Sequence, residues 1–260
     1  NRVYCDLSVV SSPTSGSLNQ NIKYKKSILL KDICYRYPSS PAHGFSCNKI
    51  EIQKGKVIGL IGETGSGKTT FVDLLLLLLK PQSGKLFVDN VEVTEEYVAQ
   101  YRSRIGYVPQ AVHLLDGDLI SNIAYGEEVE KIDIDKIKEI VNITKLSALV
   151  ADLKDGLNTD LGKNGIRLSG GQIQRIGIAR SLYYSPDLLI LDEATNALDP
   201  VTEKAIFDNL TALHDTPSIV MITHNFDILR YCDEIITLRE GRVKDIQKAR
   251  QANGGRTVQT

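Results

Sequence analysis

The chain has 260 residues, of which 42% are hydrophobic and 24% are charged, enough for one large or two small hydrophobic cores. Its formal net charge is −1 and it has no long basic run, which argues against a dedicated nucleic-acid surface. The four cysteines show neither CxxC pairing nor metal-ligand spacing, a usage that fits a reducing compartment. The sequence contains no signal peptide and no transmembrane stretch.

The first 27 residues mix polar side chains with Ser, Pro and Gly, a composition typical of a linker. The chain begins with Asn1 rather than Met, so we expect it to be a fragment whose membrane part lies outside it. Residues 28–51 alternate between apolar and polar side chains, which predicts an antiparallel β-subdomain.

A glycine-rich loop follows the apolar run Val57–Ile61, which predicts a buried parallel strand. Residues 62–69 read Gly-Glu-Thr-Gly-Ser-Gly-Lys-Thr and precede a helix-forming segment, the context that a phosphate-binding loop requires. Its glycines leave backbone N–H groups free to surround an anion, and the helix adds its positive end. Lys68 can bridge the β- and γ-phosphates, and the Thr69 hydroxyl can ligate Mg²⁺.

Six consecutive leucines, residues 74–79, come next. They predict a helix that is buried on all sides. The run is too short to cross a bilayer, which needs about 20 apolar residues.

Three further segments carry polar residues that suit a phosphate site. Residues 168–172, Leu-Ser-Gly-Gly-Gln, precede an amphipathic helix, and Ser169 can cap it while the glycines leave donors open to an anion. A strand at 187–191 ends in Asp192, which can hold Mg²⁺ through water, and in Glu193, which can polarise an attacking water. Another strand ends at His224. Taken singly, these segments also fit an ordinary capped helix, carboxylates at a helix start and a structural histidine.

In this order and spacing, the segments resemble the nucleotide-binding domain of ABC transporters, over residues 28–244. The resemblance implies an α/β P-loop NTPase fold of the RecA-like type, with a parallel-sheet core, an antiparallel β-subdomain and a helical subdomain. The implied boundaries are a linker at 1–27, an ATPase domain at 28–245 and a flexible tail at 246–260; within the domain they are the β-subdomain at 28–51, the core at 52–110 and 186–243, and the helical subdomain at 111–185.

The resemblance also implies roles for individual residues. Tyr37 matches the aromatic residue that stacks on adenine, with Tyr35 as the alternative, and residues 168–172 match the signature motif. The implied catalytic residues are Lys68, Gln110, Glu193 and His224. The implied Mg²⁺ ligands are Thr69, Gln110 and Asp192. The implied nucleotide-binding residues are Tyr37, Gly62, Glu63, Thr64, Gly65, Ser66, Gly67, Lys68, Thr69, Thr70, Ser169, Gly170, Gly171, Gln172 and Asp199.

Residues 122–126 and 159–165 resemble exporter-type members, the latter their X-loop. The resemblance therefore implies an ATPase that uses ATP and Mg²⁺ to export or flip a lipid, lipid-linked sugar, peptide or drug. Its expected partners are a second copy of this domain, in a homodimer, and a transmembrane domain of the same polypeptide, with no nucleic acid. We expect it at the cytoplasmic face of a membrane, the bacterial inner membrane.

Two other classes share part of the pattern. One is a soluble ABC ATPase of DNA repair, chromosome structure or translation. Its coiled-coil members insert long heptad segments between the two glycine motifs, whereas here only about a hundred residues separate them and none carries sustained heptads. The other is a binding module without turnover. That class is disfavoured because every implied catalytic position carries the residue that the chemistry needs.

Overall fold

The computed structural model describes residues 22–162 and 168–248. Most of the expected linker, part of the expected X-loop (residues 163–165) and most of the expected tail lie outside these residues. Within them, ten strands form one hydrogen-bonded sheet in the order β5-β4-β1-β2-β10-β9-β3-β8-β7-β6. The strands are β1 Ser27–Tyr37, β2 Ser40–Gln53, β3 Val57–Ile61, β4 Ser83–Val88, β5 Val91–Glu92, β6 Ile105–Val108, β7 Leu188–Asp192, β8 Ser218–Ile222, β9 Glu234–Arg239 and β10 Arg242–Lys248.

Seven α-helices and four short 3₁₀ helices lie within the described part of the chain. The α-helices are α1 Lys68–Leu75, α2 Val98–Arg102, α3 Leu119–Ile123, α4 Ile134–Ile143, α5 Ser147–Asp152, α6 Gly170–Tyr183 and α7 Pro200–Thr211. The 3₁₀ helices are Glu95–Tyr97, Val129–Lys131, Gly156–Asn158 and Phe226–Tyr231. Helices and a mixed sheet together confirm the predicted α/β fold.

The antiparallel half of the sheet is built on β1, which pairs with β2 and β4. Along β1 every second residue is buried, first at Ile28 and Leu30 and later at Ile33 and Tyr35. The alternation of buried and exposed residues therefore shifts by one residue between Leu30 and Ile33. Asp32 causes the shift, because it adopts a left-handed conformation (φ 52°) where the β1–β4 register is broken. Such a bulge lets one strand keep its apolar side chains on the core face across an irregularity.

The parallel half contains β3, β8, β7 and β6, and the apolar runs of β3, β8 and β7 are buried on both faces. Leu189 and Leu191 pack into a core with α6 and α7, whereas Leu188 and Ile190 pack into the core that contains α1. Strands covered by helices on both faces need continuous apolar sequence rather than alternation. Because the four strands are parallel, the residues after their carboxyl ends meet at one edge of the sheet.

The leucine run is only partly helical, so the prediction of a buried helix over residues 74–79 was wrong. Helix α1 ends at Leu75, and Leu77 has a left-handed backbone (φ 55°). Two polar side chains of α2 supply the hydrogen-bond donors that the next helical turn would have provided. The Tyr101 hydroxyl donates to Leu75 O (2.8 Å), and Arg102 donates to Leu76 O (2.9 Å) and Leu77 O (2.6 Å). These bonds satisfy the carbonyls that a helix end leaves without partners.

The segment before β1 is anchored to the body of the domain. Ile22 and Tyr24 are buried in the core. The Tyr24 hydroxyl lies 2.6 Å from Ser218 Oγ and 3.1 Å from Ile52 O. The Asp89 carboxylate accepts hydrogen bonds from the backbone N–H groups of Lys25 (2.6 Å), Lys26 (2.7 Å) and Ser27 (2.9 Å). At the other end of the chain, β10 pairs with β9 as far as residue 248.

We expect Tyr24→Phe to lower the free energy of unfolding by about 1 kcal/mol, because it removes a hydrogen bond between buried groups. Urea denaturation should show a lower midpoint with an unchanged slope. Tyr184→Phe is the matched control, since its hydroxyl bonds a backbone oxygen (Tyr125 O, 2.8 Å) at an exposed position. Equal midpoint shifts for the two variants would contradict the anchoring role of Tyr24.

Candidate active site

The phosphate-binding loop lies between β3 and α1. Gly65 and Gly67 have φ values of +80° and +100°, which glycine adopts without steric cost. The Ser66 N–H donates to Glu63 O (3.0 Å), closing a turn. The Lys68 ammonium group lies over the loop and donates to Gly62 O (2.7 Å) and Glu63 O (3.0 Å). The loop is thus a tight backbone turn whose carbonyl groups are bonded by the Lys68 ammonium group.

The groups in this loop fit a phosphate. The Ser66 hydroxyl oxygen is buried and has no hydrogen-bond partner among the described residues. The first backbone hydrogen bond of α1 is from Phe71 N–H to Gly67 O, so the N–H groups of the preceding turn have no helical acceptor. Glu63, Thr64, Gly65 and Thr69 are exposed. A buried orphan hydroxyl, free N–H groups and an ammonium are the donors that an anion at a helix start requires.

The two candidate aromatic platforms differ in exposure. Tyr35 is buried in the core, and Tyr37 is half-buried. Their rings meet edge to face with centroids 5.1 Å apart. The Tyr37 hydroxyl lies 3.2 Å from Thr70 Oγ1 on the first turn of α1. Tyr37 therefore stands next to the phosphate-binding loop, while Tyr35 supports it from the core.

Three polar side chains at this edge of the sheet contact the Glu193 carboxylate. Gln110, after β6, donates from Nε2 to Glu193 Oε2 (2.8 Å). His224, after β8, places Nε2 3.2 Å from Glu193 Oε1. Asn196 donates from Nδ2 to Glu193 Oε2 (2.9 Å). The structure thus brings together three of the four predicted catalytic side chains, and Lys68 lies on the loop after the adjacent strand β3.

Glu193 also has a left-handed backbone, with φ at 51°. This conformation is costly for a residue with a side chain and persists where the surroundings hold it. Its N–H donates to Ile222 O (3.0 Å), and its carbonyl accepts from Asn196 N–H (3.2 Å). The backbone is therefore fixed on both sides at the residue whose carboxylate gathers the cluster.

Asp192, the last residue of β7, is half-buried. The Tyr107 hydroxyl donates to Asp192 Oδ2 (3.2 Å). Burial raises the pKa of the Asp192 carboxyl; among the smaller contributions, the Tyr107 bond lowers it and Glu193 raises it. Burial, with a contribution from Asp192, also raises the pKa of Asp73 to about 6. Two carboxyls in one partly buried region favour a nearby cation.

Sequence reasoning missed three polar residues around this cluster: Asp73, Tyr107 and Asn196. Asp73 follows Thr69 by four residues, so helical spacing alone places the two on one face of α1. Tyr107 stands in β6 three residues before Gln110. Asn196 follows Glu193 by three residues, and its contact with the carboxylate depends on the turn that the chain makes between them.

The signature residues occupy the start of α6. Ser169 Oγ accepts from Gln172 N–H (3.2 Å), and Gln172 Oε1 accepts from Ser169 N–H (2.7 Å), a reciprocal cap. Ser169 and Gly170 are exposed. Among the described residues, no hydrogen bond joins this helix start to the phosphate-binding loop of the same chain. Asp199 caps α7 by accepting from Val201 N–H (3.1 Å) and Thr202 N–H (2.9 Å).

Two features that the described residues lack bear on metals and membranes. No group of three or more His, Cys, Asp or Glu residues is arranged to hold a metal ion within residues 22–162 and 168–248. Magnesium commonly takes one or two protein groups together with substrate phosphates and water, so the Thr69 and Asp192 oxygens suit it without such a cluster. Among the described helices, none combines the length and apolar composition needed to cross a bilayer.

Comparison with known proteins agrees with the site. The model of the ABC transporter family matches residues 47–196. The ABC-type transporter atr1 of Mycosarcoma maydis is 35% identical over 224 residues, 83% of this chain and 16% of that protein. The ATP-dependent lipid A-core flippase of Cupriavidus pinatubonensis is 33% identical over 222 residues, 85% of this chain and 38% of that protein. A solved structure of a bacterial Atm1-family ABC exporter with ATP bound superposes with a TM-score of 0.78 at 26% identity, covering 87% of this chain and 40% of that one.

The chain belongs to the ABC transporter family. It corresponds to the ATP-binding, ATPase domain of that family, which confirms the resemblance seen in the sequence. It spans well under half the length of these curated relatives. Those relatives are a transporter, a flippase and an exporter, which favours the transport class over a soluble ABC ATPase of DNA repair or translation.

We expect Tyr37→Ala to weaken ATP binding by roughly 1–2 kcal/mol, because stacking on a base contributes about that much in nucleic-acid sites. Tyr37→Phe should lose less, since it keeps the ring and removes only the contact with Thr70. Titration with ATP and GTP measures the change, with Tyr184→Ala as the exposed aromatic control. Unchanged affinity in Tyr37→Ala would move the adenine platform elsewhere, with Tyr35 as the next candidate.

Proposed function

We propose that the chain binds and hydrolyses ATP with Mg²⁺ and, as a head-to-tail dimer with a second copy, powers export or flipping of a substrate across a membrane. In this proposal the domain works at the cytoplasmic face, which in a bacterium is that of the inner membrane. A transmembrane domain of the same polypeptide receives the motion. The single observation that supports the proposal is the convergence of Gln110, Glu193 and His224 beside the phosphate-binding loop.

Phosphate binding is the first step that the residues explain. The N–H groups of residues 62–70 and the Lys68 ammonium group provide positive charge at the amino end of α1. Lys68 now donates to two loop carbonyls, and we propose that it exchanges these for the β- and γ-phosphate oxygens. Tyr37 holds the adenine at the side of the loop.

The residues that would hold Mg²⁺ are Thr69, through its exposed hydroxyl, Asp192, through water, and Gln110. When bound, the ion would neutralise charge that develops on the phosphate oxygens. Gln110 would offer its Oε1 to the metal, whereas its Nε2 is the group that donates to Glu193 Oε2. We propose that a rotation of Gln110 toward the nucleotide withdraws Nε2 and frees one acceptor position on the carboxylate, so that Glu193 can act as the base.

Hydrolysis then requires one proton to leave the attacking water. Glu193 accepts that proton as the water oxygen bonds to the γ-phosphorus and the bond to the leaving ADP oxygen breaks. Asn196 keeps Oε2 oriented from one side. His224, 50% exposed and 3.2 Å from Oε1, can turn its ring nitrogen toward the γ-phosphate.

Glu193→Gln should leave ATP affinity within about twofold and reduce steady-state phosphate release at least about 100-fold, because removing a general base typically costs 10²–10⁴-fold. The amide keeps the size of the side chain, so packing at the sheet edge is preserved. Asp215→Asn, at an exposed acidic residue, is the control. Near-normal turnover of Glu193→Gln would remove Glu193 from the role of base.

The dimer explains why the signature helix start is exposed. Gly171 offers its N–H group and Ser169 its hydroxyl hydrogen to an anion, and we propose that this anion is the γ-phosphate held by Lys68 of the second copy. Two such contacts close a symmetric dimer, because the same pair of surfaces is used twice. Both halves are present in this chain, so a homodimer has two complete sites. Hydrolysis per chain should therefore rise with chain concentration.

Mixing two inactive variants tests the shared site. Lys68→Ala and Ser169→Arg chains should each be nearly inactive alone. Their mixture should regain activity, since a heterodimer contains one site with an intact Lys68 and an intact Ser169. Phosphate release is measured against the total chain concentration. A Ser169→Arg chain that hydrolyses ATP normally by itself would show that each chain works alone.

A further inference from the structure

Gln174 is a polar side chain buried in the first half of α6, with 8% of its surface exposed. Both ends of its amide meet the segment that follows β7. Its Oε1 accepts from the Ala197 N–H (2.9 Å), and its Nε2 lies 3.5 Å from the Glu193 carbonyl oxygen. Buried polar side chains in proteins nearly always have hydrogen-bond partners, and both the donor and the acceptor of this amide have one.

The surface of α6 around Gln174 fits closely against the same segment. Gly170 and Gly171 precede Gln174 by four and three residues, so the three share one helix face. A Cβ atom at Gly171 would lie 2.8 Å from Ala197 O, and one at Gly170 would lie 3.4 Å from the Ala197 Cβ. The backbone of the signature helix therefore approaches the backbone at Ala197 more closely than a side chain at residue 171 allows.

This contact joins two groups that serve different nucleotides in the proposed dimer. The start of α6 faces the ATP of the partner copy, whereas Glu193 acts on the ATP bound by its own chain. We propose that Gln174 is a positioning residue that fixes the Glu193–Ala197 segment to α6, so that docking of the signature motif orients the base in the same chain. The proposal rests on the proposed function and adds the path between the two sites.

The physical basis is the left-handed backbone of Glu193, which must be held from outside. The Glu193 carbonyl faces Asn196 N–H and the Gln174 amide, and the segment is pinned three residues on, at Ala197. A small displacement of the first turns of α6 would therefore shift the Glu193 carboxylate through the two backbone groups that Gln174 contacts, the Glu193 carbonyl and the Ala197 N–H.

Two substitutions separate the contacts. Gln174→Met keeps the length of the side chain and removes both polar contacts. Gln174→Glu keeps an oxygen for Ala197 N–H but places a second oxygen against the Glu193 carbonyl. Ile176→Val, fully buried two residues along the same helix, is the control for a mild packing defect in α6.

We expect kcat for ATP hydrolysis to fall at least about 10-fold in Gln174→Met and in Gln174→Glu, because misplacing a catalytic group is costly. ATP affinity should stay within about twofold of the wild type, since the phosphate-binding loop is untouched. Ile176→Val should keep the wild-type kcat. Wild-type kcat in both Gln174 variants, an equal loss in Ile176→Val, or a parallel loss of ATP affinity would each overturn the proposal.

Hydrogen exchange of the Ala197 amide gives a second readout that needs no hydrolysis. It should accelerate by more than about 10-fold in Gln174→Met and stay near the wild-type rate in Gln174→Glu, because only the first loses the acceptor. Unchanged Ala197 exchange in Gln174→Met would overturn the proposal even if the wild-type domain proved inactive. Wild-type inactivity with the expected exchange would instead count against the proposed function.

Discussion

The site depends on the contacts of the Glu193 carboxylate with Gln110 and His224, because these contacts join the ends of three neighbouring strands. Gln110 follows β6, Glu193 follows β7 and His224 follows β8. Parallel pairing aligns these ends, and the apolar strands fix the alignment by burying both faces of the sheet. The side chain is 16% exposed, so its negative charge is met by donors more than by water. Loss of the strand order would scatter all three groups.

Charge at this edge is arranged for a cation and an anion together. Asp192 and Asp73 supply carboxyls whose pKa values are raised by burial, which means that the folded chain holds their negative charge at a cost. A dication beside these carboxyls would lower that cost, which is consistent with the proposed role of Asp192. The phosphate-binding loop, which follows β3, has the opposite excess: N–H groups and a lysine. A nucleotide bound with its metal satisfies both halves at once.

The fold class could be predicted because the evidence for it is local. Apolar runs at 57–61 and 188–191 specify buried strands, and the glycine loop specifies the turn after the first of them. The end of α1 could not be predicted, because the leucines give no stop signal and the helix ends where Arg102 and Tyr101 bind its carbonyls. The sheet order β3-β8-β7-β6 differs from the order of the strands in the chain. Residue spacing therefore could not predict that Gln110 and His224 lie near Glu193, and their roles in the site were implied only by the family resemblance.

Gln174 was invisible for a related reason. In sequence it is a polar residue in an amphipathic helix and suits a solvated face, yet it is buried against the Glu193–Ala197 segment. In the proposed symmetric dimer each α6 start would meet the partner's nucleotide, and the same helix contacts the segment that carries Glu193 of its own chain. In that arrangement each chain would link the two sites. A Cβ atom at Gly171 would lie only 2.8 Å from Ala197 O, so the helix start and the segment are closely packed, and this packing is the physical reason for proposing that the two sites are coupled.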